Sequence, residues 1–162
     1  RNGMKSVMLS IRPKWCEKIV GGEKTIEVRK TKPKLETPFK CYIYCTNSGV
    51  ATGMWGKHGK IVGEFTCNTV TNLFSNSRFW LNEDDVLQTC LSAAELRKYA
   101  DGANGLYGWH ISDLVCYDKP KELSEFKGLR KTKFGYEPVE IKRAPQSWCY
   151  VEEWEQKELE DA

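Results

Sequence analysis

The sequence predicts an α+β fold, a small barrel of about six mixed strands with short helices embedded between them. Three observations point there. Six short strand-like runs fall at residues 6–11, 25–30, 39–46, 60–70, 107–118 and 147–151. Helical signals are few and short, and they do not alternate with the strands as they would in a βαβ chain. The chain has 162 residues, 40% of them apolar, enough for one packed core and too few for two comfortable ones, so a single domain is expected over residues 4–151. Arg1-Asn2-Gly3, ahead of Met4, reads as an added leader and is left out of the fold.

The elements follow in order. Pro13 suits the first turn of a helix, where its missing N–H has no partner to lose, and Gly21-Gly22 suits the helix end. Between them Trp15, Cys16, Ile19 and Val20 form one apolar stripe. In the next strand Ile26 and Val28 point to the core, while Thr25, Glu27 and Arg29 share the opposite face. In the third, Phe39, Cys41, Ile43 and Cys45 line one face, where free cysteine behaves as a small buried hydrophobe. A short helical turn is expected near residues 82–87. Ser92-Ala93-Ala94-Glu95 is a capping box opening a helix that closes at Gly102. His110, between Trp109 and Ile111, reads as a structural histidine.

Two loops stand out. Residues 46–60 carry Gly49, Gly53, Gly56 and Gly59 around Met54, Trp55, Lys57 and His58. The glycine spacing is not that of a P-loop, and a strand follows where a P-loop needs a helix. Residues 127–135 add Arg130, Lys131 and Lys133 and read as a basic flap.

The net charge of +3 is unevenly spread. Residues 1–40 hold eleven Lys/Arg against four Asp/Glu, whereas residues 151–162 hold one against six. The basic part favours an anionic partner, and residues 152–162 read as a solvated acidic tail. No apolar run is long enough to span a bilayer, and no signal peptide is visible, so no membrane partner is expected. Seven cysteines without a C-x-x-C pair, with only two histidines, argue against a zinc site and for a reducing, cytoplasmic compartment. Neither a metal nor another cofactor is implied. Cys16 and Cys149 sit in no recognised catalytic-cysteine signature.

The segment richest in chemistry is Gly22-Glu23-Lys24-Thr25-Ile26-Glu27-Val28-Arg29, which places a lysine, a glutamate and an arginine on one short strand just after a helix. Its polar side chains are expected in the mouth of the barrel, with Lys24 and Arg29 meeting a phosphate or carbonyl and Glu27 orienting them. Lys24 and Arg29 are thus expected to serve a cleft rather than the core. Arg12 and Lys14 flank the helix start, where unpaired N–H groups favour anions. Single-stranded RNA is read largely by stacking bases on aromatic rings beside a basic groove, and Trp55 and Trp148 are the candidate rings. Trp80, Trp109 and Trp154 are expected in the interior or against the tail.

The pattern G-x-K-x-x-E-x-R, preceded by Leu9-Ser10-Ile11-Arg12-Pro13-Lys14-Trp15, resembles the ASCH domain, a small β-barrel of the PUA-like group of RNA-associated folds. Tyr107-Gly108-Trp109-His110-Ile111, with residues 120–126, adds to the match. The closing Pro145-Gln146-Ser147-Trp148-Cys149-Tyr150-Val151 resembles phage and prophage members.

The resemblance implies an RNA- or nucleotide-binding module whose cleft is built from Arg12, Lys14, Lys24, Glu27, Arg29, Trp55 and Trp148. The alternative is a metal-independent enzyme on the same scaffold, a ribonuclease or an N4-acetylcytidine amidohydrolase, with Lys24 and Glu27 as its catalytic residues. In the amidohydrolase branch the nucleophilic threonine falls where this chain has Glu27, and Thr25 points away from Lys24 on an ideal strand. A third class, a phage-encoded protein-interaction module, has only the acidic tail in its favour.

Overall fold

The computed structural model describes residues 5–49 and 51–154. In chain order it contains β1 (Lys5–Ile11), α1 (Pro13–Val20), β2 (Ile26–Arg29), β3 (Phe39–Cys45), β4 (Lys60–Cys67), β5 (Val70–Ser75), β6 (Arg78–Phe79), α2 (Glu83–Thr89), α3 (Ala93–Tyr99), β7 (Gly105–His110), β8 (Ser112–Lys121), β9 (Lys127–Thr132), β10 (Gly135–Glu140) and β11 (Trp148–Glu152), with single helical turns at Thr52–Met54 and Leu123–Glu125.

The α+β class stands, but the single six-stranded barrel does not. The described strands form a seven-stranded sheet, ordered β10-β9-β11-β1-β3-β4-β8, and a four-stranded sheet, ordered β2-β7-β5-β6. The ladders do not close into a barrel among the described residues. Two of the expected runs each divide between the sheets. The run at 60–70 leaves the large sheet after Cys67 and enters the small one at Val70, and the run at 107–118 does the reverse around Ile111. Each corner is marked in the sequence only by a short polar pair, Asn68-Thr69 and Ser112-Asp113, which interrupts the alternation without showing that the chain changes sheet.

The supposed basic flap is the β9–β10 hairpin, in which Tyr136 faces Lys131 and Glu137 faces Arg130. Its strands are polar because β10 is an edge strand, where Pro138 is also tolerated. Of the expected acidic tail, Glu152 closes β11 opposite Lys5, and Trp154 donates its backbone N–H to Tyr42 Oη at 2.7 Å. Residues 155–162 lie outside the described residues.

The centre of the large sheet, at β1 and β3, is buried on both faces. Val7, Leu9 and Ile11 of β1 join Cys41, Ile43 and Cys45 of β3 on one side. On the other, Met8 packs with Tyr42, Ile61, Phe126 and Val151. The small sheet lies against the first face through Trp109, whose buried ring meets Phe39 and Trp148 edge-on at centroid distances of 5.7 and 5.9 Å. Leu96 and Ala100 then cover Val28, Leu73 and Leu106. Every residue of β2 is buried as a result, on both of its faces. Trp80, expected inside, is 50% exposed beside the edge strand β6.

Candidate functional site

The site starts from two helix ends. α1 runs as expected from Pro13, with Arg12 at its N-cap. The chain then turns at Gly22 (φ 83°), a left-handed conformation that favours glycine, and delivers Lys24 to the start of β2. α2 ends at Thr89, capped by Cys90 in the left-handed region. Last-turn carbonyls of a helix have no partner within it. Lys24 supplies one, its Nζ donating to the Thr89 carbonyl at 2.6 Å. Thr25 ties the same end by donating its hydroxyl to Gln88 Oε1 at 2.9 Å.

Lys24, Glu27 and Arg29 form one buried cluster, 2%, 6% and 8% exposed. Glu27 divides its two oxygens between the cations. Oε2 accepts from Arg29 Nε at 2.8 Å and lies 2.7 Å from Nη2, while Oε1 lies 3.6 Å from Lys24 Nζ. Arg29 spends its remaining donors on backbone and hydroxyl groups of other segments. Nη2 donates to the Ser10 carbonyl at 2.8 Å, and Nη1 donates to the Ser147 carbonyl at 3.0 Å and to Ser147 Oγ at 3.1 Å. The guanidinium therefore links β2 of the small sheet to β1 and to the approach of β11 in the large sheet. Arg29 is part of the framework, which corrects the expectation that it serves only a cleft. Lys24 is likewise buried rather than open at a mouth, and burial lowers its pKa from 10.5, with Glu27 acting in the opposite direction.

Around this cluster lies a partly exposed rim. Trp15 carries Lys24 Nζ at 4.8 Å and Lys14 Nζ at 4.7 Å from its ring centroid. It packs on the core as well as on the site. Arg12 and Lys14 are exposed and make no ion pair among the described residues. Tyr99, at the end of α3, has its pKa raised by burial, with Glu27 adding to the rise and Arg29 opposing it. Its ring carries Lys30 at 4.8 Å. Trp148 is half-buried, donates from Nε1 to Thr31 Oγ1 at 2.9 Å, and adjoins Ser147.

Of the expected residues, Lys24, Glu27 and Arg29 thus come together, Lys14 adjoins them through Trp15 and Trp148 through Ser147, while Arg12 stands exposed at the N-cap of α1. Trp55 does not join them: it stands 80% exposed on its loop, which is tied instead to α1 by the Gly53 N–H donating to Glu17 Oε2 at 2.9 Å. Sequence reasoning missed Tyr99, Lys30 and the Thr89 carbonyl. None lies near the motif in the chain, apart from Lys30, which follows it directly. Cys16 is fully buried, and its neighbour Cys45 and burial push its thiol pKa up, while burial raises Cys149 to about 11. Both thiols are held protonated, which disfavours a nucleophilic role. His110 is satisfied by Thr71 Oγ1 at 2.7 Å. Among the described residues no group of His, Cys, Asp and Glu is placed to hold a metal ion, and no helix is long and apolar enough to cross a membrane.

Comparison with known proteins places these features in a family. The pattern of the ASCH domain matches residues 9–158. The ASCH protein of Zymomonas mobilis superposes with a TM-score of 0.59 at 20% identity, covering 96% of this chain and 91% of that one. A serine-to-alanine and a tyrosine-to-phenylalanine variant of the protein from that organism give TM-scores of 0.57 and 0.54, each at 18% identity, covering 98% and 96% of this chain and 93% and 94% of theirs. At such identities the likeness concerns the fold alone. No curated protein matches the chain. On a family pattern that spans nearly its whole length, the chain belongs to the ASCH domain family.

Proposed function

We propose that this ASCH domain binds single-stranded RNA or a nucleotide at the rim around Lys24, Glu27 and Arg29, as a cytoplasmic protein. One observation carries the reading. The buried cluster sets two cations against one carboxylate, and the exposed Arg12 and Lys14 at the start of α1 form no ion pair among the described residues, Lys14 acting on Glu95 only at longer range. A surplus of positive charge in a low-dielectric site is costly alone and favours an anionic or carbonyl-rich ligand. Trp15, Tyr99 and Trp148 add rings against which an unpaired base can stack. Arg29 acts here by holding Glu27 and the two sheets in place, and Arg12 and Lys14 meet phosphate.

The enzymatic reading rests on the lowered pKa of Lys24, which raises its share of free amine. It lacks a partner for that amine, since the Thr25 hydroxyl is engaged with Gln88 and Glu27 is held by Arg29. Binding therefore ranks first.

The test incubates the protein, without added metal, with short single-stranded RNA and with N4-acetylcytidine, following retention and product by mass spectrometry. Salt-sensitive retention of intact RNA, weakened when Arg12 and Lys14 are replaced by Glu, is the expected result. Product that disappears in Lys24→Met would make the protein an enzyme. Neither retention nor product would move the assignment to a protein-interaction role.

A further inference from the structure

Beyond the motif, a second set of aromatic and cationic side chains runs across the large sheet. Trp148 and Tyr150 of β11 meet edge-on at 5.3 Å, and Tyr150 meets Tyr136 of β10 at 6.0 Å. Lys5 of β1 sits between the last two, its Nζ 4.0 Å from the Tyr136 centroid and 5.1 Å from that of Tyr150. Past Tyr136 the hairpin tip presents Phe134, 97% exposed. The row begins at Trp148, whose neighbour Ser147 is bonded to Arg29, so it is continuous with the motif site. β1 and β10 are three strand spacings apart, roughly 15 Å, room for more than one nucleotide.

The charges on this face are arranged differently from those behind it. In the β9–β10 hairpin, Arg130 and Glu137 oppose each other and form an ion pair on one face. Lys131 and Tyr136 oppose each other on the other, where Lys131 has no carboxylate within ion-pairing distance among the described residues. Lys5 stands across from Glu152 in register, yet its ammonium rests on the two tyrosines. A lysine on a ring face keeps its full positive charge and can move to a phosphate while a base takes its place on the ring.

We propose that a second segment of the same single-stranded RNA lies along Trp148, Tyr150, Tyr136 and Phe134, with Lys5 and Lys131 meeting its phosphates. This deepens the binding reading above and rests on it for the identity of the ligand. The motif site takes one nucleotide. The aromatic row takes those that follow, and the hairpin tip is its far end.

The test compares a fluorescein-labelled oligouridylate of about 12 nucleotides, a length within the range a single stacking platform covers, with uridine monophosphate as the probe of the motif site alone. The variants are Phe134→Ala with Tyr136→Ala, and separately Lys131→Glu, all exposed positions whose folding is checked by thermal unfolding. We expect the wild type to bind the oligonucleotide at least roughly tenfold more tightly than the mononucleotide, and the double variant to lose about tenfold for the oligonucleotide only. Unchanged oligonucleotide affinity in the folded variants, an equal loss for both ligands, or equal affinity of the wild type for both would overturn the proposal. Binding to the oligonucleotide that responds to Tyr136 but not to Arg12 and Lys14 would keep the row and remove the motif site. Mononucleotide binding that survives while the row variants change nothing would do the opposite. Absence of binding to either would remove both.

Discussion

Arg29 and Glu27 stand two residues apart on β2 and are joined through a single carboxylate oxygen, at 2.8 Å from Nε and 2.7 Å from Nη2. The other oxygen faces Lys24. Removing one member of such a buried set leaves an uncompensated charge, which typically costs about 3–5 kcal/mol. Glu27→Ala and Arg29→Ala are both expected to lose stability of that order in urea unfolding. Arg29→Lys should recover little, because an ammonium cannot span Glu27, Ser10 and Ser147 together. A Glu27→Ala loss below about 1 kcal/mol would count against this account of the cluster.

Arg12 and Lys14 should behave in the opposite way. Both are exposed at the start of α1, and exposed substitutions usually stay within about 0.5 kcal/mol of the parent. Replacing each by Glu is expected to leave thermal unfolding nearly unchanged while weakening RNA binding. The slope of log affinity against log salt should become shallower by about 0.7 for each phosphate of the single strand that is no longer neutralised. An unaltered slope would show that these side chains touch no phosphate.

The alkaline limb of stability has a defined sign. Burial raises the Cys67 thiol from 9.0 to about 11. The folded state thus keeps a proton that the unfolded chain releases, so this contribution is complete below pH 9 and is lost as pH rises through about 11. It amounts to the order of 2 kcal/mol. Lys24 works against it: burial lowers its pKa below 10.5, so the cost of its ammonium is relieved as pH rises towards that value. Cys67→Ala should therefore flatten the fall in stability between pH 9 and 11, and Lys24→Met should steepen it. Denaturant melts at stepped pH would read both.

At Gly63, β4 and β8 pack closely enough to leave no room for a side chain. A Cβ there would lie 2.5 Å from the Val115 carbonyl oxygen, which belongs to the backbone and cannot swing away. Gly63→Ala is expected to destabilise the protein by about 1–3 kcal/mol, whereas Gly22→Ala loses only through its left-handed φ, having open space around it. Equal effects of the two would contradict the close approach.

Much of the local structure was legible in the chain. Pro13 and Gly21-Gly22 bounded α1 at its observed limits, Ser92 and Glu95 closed a capping box, and the period-two face of Phe39, Cys41, Ile43 and Cys45 became core. These features depend on neighbours within a few residues, which the sequence carries directly. The pairing of Glu27 with Arg29 was equally legible, since alternation puts both on one face of β2, whereas Lys24 precedes the strand and reaches Glu27 only because the chain there is not extended in register with it.

What required the tertiary structure was everything set by distant partners. Whether Arg29 lined a cleft or joined two sheets depended on Ser10 and Ser147, 19 and 118 residues away in the chain. Lys24 was buried by Thr89, which lies 65 residues on. Alternation reports which side of a strand is apolar but not which sheet the strand joins, so the corners after Cys67 and around Ile111 and the polar hairpin of β9 and β10 emerged only when the two sheets were packed. The sequence by itself determined the chemistry of the motif, and long-range burial and hydrogen bonding decided which of its charges support the fold and which neighbouring ones face solvent.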